Sequence, residues 1–173
     1  MSKKEAISQF QSRLATRLQS AGKAGDGGTA NWLAVEIAGA GFVLPLDQSG
    51  EIFPWSEPQS IPYAKEWFLG VANLRGALCG VVSLSKYFGL EHQAQANSEA
   101  VKTVLQDRRL VGFHPSLELN TVVVVDKLVG LKSRDHMQPT GVESQYQDAQ
   151  GIQWREVDLQ LLSRNPTFIN IAQ

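Results

Sequence analysis

Ser83 and Lys86 stand one helical turn apart in the run Ser83-Leu84-Ser85-Lys86. This is an S-x-x-K pattern, in which a lysine amine can help activate a serine hydroxyl for acyl transfer. That chemistry needs companions, and neither S-D-N nor K-T-G occurs in the chain. A serine capping a short helix, followed by a solvated lysine, accounts for the same four residues. The histidines His92, His114 and His136 fall at 22-residue intervals, none with a second His or Cys at ligand spacing, so they read as loop histidines rather than a metal centre. The only cysteine, Cys79, lies in an apolar stretch without a neighbouring base and reads as a structural thiol that no second cysteine can pair. Gly39 and Gly41 form a lone G-x-G, but strand patterns flank them, whereas a phosphate cradle needs a helix start there. No catalytic residue, metal or cofactor is assigned.

A second chemistry to weigh is base stacking. Trp55, Tyr63, Trp67 and Phe68 cluster around Lys65, as they would on an OB-like nucleic-acid-binding barrel. Stacking platforms sit in basic grooves, and here Glu51, Glu57 and Glu66 offset the few cations. The whole chain has 16 Lys and Arg against 17 Asp and Glu, a net charge of -1, which supplies no broad attraction for nucleic acid or acidic lipid. Core packing explains the aromatics better. No signal-peptide pattern follows the first residues, and no run of about 18 apolar residues appears, so a cytoplasmic protein without direct membrane insertion is expected.

With 173 residues and 43% hydrophobic content, the chain can bury a sizeable core. Ile7, Phe10, Leu14 and Leu18 step by three or four, which predicts an amphipathic helix. Ala21 to Thr29, with four glycines, predicts a linker. From Asn31 the period changes to two. Leu33, Val35 and Ile37 alternate, and so do Phe42, Leu44 and Leu46, which predicts a hairpin around Gly39 to Gly41. Further strands are expected at Glu51 to Trp55, Ala77 to Val82, Arg109 to Phe113, Thr121 to Val125, Gln153 to Val157 and Phe168 to Ile171. The four valines from Val122 to Val125 suit a strand covered on both faces. Short helices are expected after Ser83 or Ser85 through Tyr87, and from Asp158 through Arg164. Residues 89–102 read as a polar surface connection. Many strands with few helices point to small barrels or a sandwich.

The segment from Trp67 to Leu90 is the most specific in the chain. It holds Gly70, Asn73, Leu74, Arg75 and Gly76 in a G-x-x-N-x-R-G arrangement, followed by Leu84, Phe88 and Gly89. This resembles the central signature of the CheW family of chemosensory adaptors. Glu51-Ile52, Ile61-Pro62 and the stretch from Thr121 to Gly130, with Asp126 in a V-D-x-V context, are similar to other family segments. Gly80-Val81-Val82-Ser83-Leu84 lacks the proline and aspartate common in the family, and Ser49 replaces an apolar residue. Those departures, with the N-terminal extension and the ending Phe168 to Ala172, look like the PilI-type branch of type IV pilus twitching systems.

The resemblance implies a mainly β fold of two intertwined five-stranded SH3-like barrels with a few short helices over residues 31–173, preceded by the helix and linker of residues 1–30. It implies a non-catalytic adaptor that joins the cytoplasmic hairpin tip of a methyl-accepting chemoreceptor to the regulatory domain of a CheA-like histidine kinase. Flagellar chemotaxis is the alternative pathway to twitching. Glu51, Gly70, Asn73, Leu74, Arg75 and Gly76 are the candidate partner-binding residues, and Leu44, Leu46, Ile52 and Leu78 are candidates for an apolar groove floor. The residues themselves predict an exposed bend between Gly70 and Gly76, braced by Asn73. Arg75 would project from it toward a carboxylate, on a partner or at Glu51 of the same chain.

Overall fold

The computed structural model describes residues 30–90 and 105–173. The expected N-terminal helix, its linker and most of the polar connection after Gly89 lie outside the described residues. Strands come in chain order as β1 (Trp32–Ile37), β2 (Ala40–Pro45), β3 (Ser49–Pro54), β4 (Phe68–Leu74) and β5 (Ala77–Ser83). Helix α1 (Leu84–Tyr87) precedes β6 (Arg109–Phe113), β7 (Thr121–Val125), β8 (Lys127–Lys132), β9 (Gln138–Pro139), β10 (Gln145–Gln147) and β11 (Gln153–Glu156). Two short helices, α2 (Leu159–Arg164) and α3 (Pro166–Ile169), end the chain.

These strands form two sheets. The first has the order β8-β1-β2-β11-β10-β9, and the second β3-β6-β7-β5-β4. The chain begins in the first sheet, builds the second from β3 to β7, and returns to complete the first, so the two units are interleaved. Instead of two five-stranded sheets, the first has six strands, because the two-residue β9 adds to its edge by pairing with β10. The second sheet curls on itself. The chain leaving β3 comes back to β4, where Gln59 and Val71 exchange backbone hydrogen bonds of 2.8 and 2.9 Å.

Alternation along each central strand divides its side chains between two cores. On β7, Val123 and Val125 enter a core shared by both sheets, while Val122 and Val124 enter the interior of the second sheet with Ala72, Leu74, Val81 and Leu110. The valine run is thus buried on both faces, as its composition predicts. On β1, Leu33, Val35 and Ile37 join the shared core, while Trp32 and Ala34 pack with Val43, Met137 and Trp154 inside the first sheet. Fully burying one such side chain stabilises by about 1.5–3 kcal/mol, and the shared cluster joins the two units without a disulfide.

Local chemistry sets the short elements. Ser83 caps α1 by accepting from the Lys86 backbone N–H, and Asp158 caps α2 by accepting from that of Leu161. The expected closing strand from Phe168 to Ile171 is not formed. Pro166 fixes φ for a first helical turn that Asn165 caps, so Phe168 lies in α3 and not in a ladder. Its ring is buried, stacked on Trp67 and Phe113 with an edge contact to Tyr87. Only Ala172 bridges to Ala64, and Ile171 accepts from the Lys65 N–H, so the tail lies beside residues 63–65.

Candidate protein-docking interface

The signature segment builds the β4–β5 hairpin. Ala72 and Leu74 point into the second sheet's core, leaving Val71 and Asn73 on the opposite face. Leu74 pairs with Ala77, which leaves a two-residue turn of Arg75 and Gly76. Both have positive φ, +52° and +82°, the backbone of a type I′ turn. Asn73 braces it: its Oδ1 accepts from the Gly76 N–H at 2.9 Å. The bend is therefore shorter than the Gly70-to-Gly76 span expected from sequence, because residues 70–74 are committed to a strand.

Arg75 occupies a left-handed position that costs a non-glycine residue about 1–3 kcal/mol. Its guanidinium forms an ion pair with Glu51 of β3, with the two side chains 52% and 43% exposed. The cation also lies 6.0 Å from the centre of the Phe53 ring. An exposed pair of this kind contributes at most about 1 kcal/mol. It orients the arginine more than it stabilises the fold. Leu78, across the ladder from Asn73, is 65% exposed. Glu51, Asn73, Arg75, Gly76 and Leu78 are accordingly solvent-facing.

The remaining candidates fall inside. Gly70 is buried in β4 with φ +138°, and a Cβ there would overlap the Gln59 carbonyl, so this glycine permits the closure of the second sheet. Leu74 belongs to that sheet's core. Leu44 is fully buried in the shared core and cannot floor a groove, while Leu46 and Ile52 are half-buried against the same core. The parity of β2 explains Leu44, since Phe42 and Leu44 share the inward face.

A groove does exist, in a place the sequence did not indicate. It has a volume of about 270 Å³ and lies over the outer face of β4 and β5, with Val71 and Val82 in its lining. Ile61 and Leu119 line it from neighbouring loops, and Ile169 and Ile171 line it from the C-terminal tail. Four separate segments contribute to it, so no period or spacing in the sequence marks it.

The other chemical candidates resolve into structural roles. Ser83 Oγ lies 2.9 Å from Ser85 Oγ, both serines are buried, and Lys86 is exposed, so Ser83 acts as a cap. His114 Nδ1 accepts from the Ser116 N–H at 3.1 Å at the start of a 3₁₀ turn. Burial raises the Cys79 thiol above its ordinary pKa, which disfavours the nucleophilic thiolate. His92 lies outside the described residues. Among the described residues no group of three or more His, Cys, Asp or Glu could hold a metal ion, and no helix is long and apolar enough to cross a membrane.

Comparison with known proteins agrees with this geometry. The CheW-like domain matches residues 31–155. PilI of Pseudomonas aeruginosa is 27% identical over 100 residues, which cover 58% of this chain and 51% of that protein. A probable chemotaxis protein CheW of Rhizobium etli is 28% identical over 98 residues, covering 56% of this chain and 63% of its own. The chain thus spans between half and two thirds of the length of these curated relatives. The crystal structure of the scaffolding protein TtCheW from Thermoanaerobacter tengcongensis superposes with a TM-score of 0.58 at 16% identity, over 76% of this chain and 91% of that one. With the domain match extending over most of its length, this chain belongs to the CheW-like domain family.

Proposed function

We propose that this protein is a non-catalytic adaptor that couples a methyl-accepting chemoreceptor to a CheA-like histidine kinase in a chemosensory array, controlling type IV pilus twitching. The observation that carries this reading is the β4–β5 tip. It holds a guanidinium at a strained left-handed position beside Glu51 and in the open, on a fold shared with a scaffolding protein. A surface arginine near the exposed Leu78 suits a partner carboxylate next to an apolar contact. Coupling needs no bond-making step, because holding receptor and kinase together raises their effective concentration and lets a receptor shift bias the kinase. The adaptor acts in the cytoplasm, recruited to membrane-associated receptors.

The departures at Gly80 to Leu84 and at Ser49 support the twitching reading over flagellar chemotaxis. Arg75→Ala should leave the melting temperature within about 2 °C while weakening receptor or kinase capture roughly 10-fold or more. Melting and pull-down measured side by side decide it, since full binding by the variant removes Arg75 from the site. Affinity purification from the native cell with mass spectrometry separates the pathways by the kinase recovered.

A further inference from the structure

We propose that the chain's own N-terminal segment, residues 7–18, occupies the apolar groove formed by β4, β5 and the C-terminal tail. The groove lining is mainly apolar, with Asn120 and Thr121 as its polar members, and Ile61 and Ile169 on it are 41% and 51% exposed. At about 270 Å³ it is far larger than the roughly 30 Å³ share of one water, so it accepts side chains and not a single solvent molecule. The sequence supplies a matching stripe. Ile7, Phe10, Leu14 and Leu18 fall on one face at helical spacing, and without a partner surface that face would stay in water.

Charge points the same way. Residues 1–20 carry Lys3, Lys4, Arg13 and Arg17 against Glu5, a net +3, and since the whole chain is -1 the remainder carries -4. The charged residues close in sequence to the groove lining are Glu57, Lys65 and Glu66 around Ile61 and Glu118 before Leu119, a net -2. A basic helix seated on apolar contacts would meet this small negative excess. Reach is sufficient too. From Leu18 to Asn31 the chain can span about 43 Å when extended, against a radius of gyration of roughly 15 Å for a domain of this size. Ala21 to Thr29, with its glycines, imposes no fixed direction on that span.

The full-length protein with a photoreactive phenylalanine analogue in place of Phe10 tests this. Irradiation followed by mass spectrometry should place cross-links on peptides containing Ile61, Val71 or residues 169–171, within one chain. Mixing isotopically light and heavy chains identifies the source. Cross-links joining the two isotopic forms would overturn docking of the chain's own segment, as would cross-links elsewhere or none at all. Introducing Ile169→Asp in the same protein should reduce the groove cross-links at least 5-fold, with unchanged near-ultraviolet circular dichroism showing that the exposed substitution leaves the fold intact. Undiminished cross-linking in that folded variant would also overturn the proposal.

Discussion

The β1–β2 and β4–β5 hairpins close on the same turn and use it for different ends. Ala38-Gly39 has φ of +52° and +78°, and Arg75-Gly76 has +52° and +82°. The backbone is nearly the same, so the contrast lies in what surrounds it. At the first turn the small Ala38 side chain packs against the edge of the shared core. Its backbone N–H donates to Asp126 Oδ2 at 2.8 Å, tying the hairpin to the crossing from β7 to β8. At the second turn Asn73 braces the backbone, and a long cation paired with Glu51 takes the strained position. Glycine would sit there without strain. A turn that serves only to reverse the chain has no need of a guanidinium, so under the proposed function the first hairpin is architectural and the second makes the contact.

The two hairpins also each contain a glycine under a close neighbour, and here the largest effect is expected. A Cβ at Gly70 would collide with the Gln59 backbone, which cannot swing aside without opening the sheet. At Gly41 the nearest atom would be in the Trp154 side chain, 2.8 Å away, with the Gln153 carbonyl at 3.1 Å, both looser than the overlap at Gly70. Gly70→Ala should destabilise by about 3 kcal/mol or more, and Gly41→Ala by about 1–3 kcal/mol, measured by urea unfolding. Equal losses would mean that the Gln59 bridge is no stiffer than a side chain. Next in size is Asp126→Ala, which removes the acceptor for Ala38 and the partner of Arg108, whose Nε lies 3.6 Å from Asp126 Oδ1. Arg108 is largely buried and stacks 4.9 Å from the Trp55 ring, so a loss of about 2–3 kcal/mol is expected, well above that for Glu51→Ala at the other hairpin.

A third hairpin, β10–β11, shows the architectural use in titratable form. Asp148 accepts from the Trp154 indole N–H at 3.0 Å and from the Gln150 and Ile152 N–H groups, with Lys132 at 3.7 Å. The bond from Trp154 is the first of the causes that hold its carboxyl below the ordinary aspartate pKa. The folded state thus binds this proton less readily than the unfolded chain. The stabilisation is complete above the unfolded value, near 4, and is lost as pH falls through that value toward the folded one. Asp148→Asn should flatten the stability profile below about pH 4 and leave its slope near neutrality unchanged. An unaltered acid limb would show that the turn is held by its backbone alone.

How far the sequence foretold this arrangement depended on the range of the interactions. Strands β6 and β7 were legible to the residue, since β-branched runs bounded by polar residues leave few alternatives, and the caps Ser83 and Asp158 announced α1 and α2 through purely local hydrogen bonds. Strand β4 was hidden because Gly70 and Asn73 resemble turn residues. Gly70 is needed for a backbone arriving from Gln59, eleven positions earlier, which no local pattern shows. Phe168 misled for the opposite reason, since an alternating apolar ending resembles a strand until Pro166 starts a helix. Of the candidate site, the residues around the turn could be read from type and spacing. Leu44 could not be separated from a groove floor, because alternation tells which residues share a face but not what covers it.

The smallest change in stability, and the sharpest test of the contrast between the hairpins, comes from Arg75→Gly. This variant removes the Glu51 pair, worth at most about 1 kcal/mol, and at the same time removes the strain of a side chain at φ +52°. The two terms oppose each other, so unfolding free energy should stay within about 0.5 kcal/mol of the parent or rise slightly. Ala38→Gly at the matching turn should behave alike in stability and leave docking untouched. If Arg75→Gly instead unfolds the domain by more than about 2 kcal/mol, the arginine is part of the architecture after all, and the two hairpins differ only in decoration. If stability holds and partner capture falls, the strained position has been kept for the contact its side chain makes.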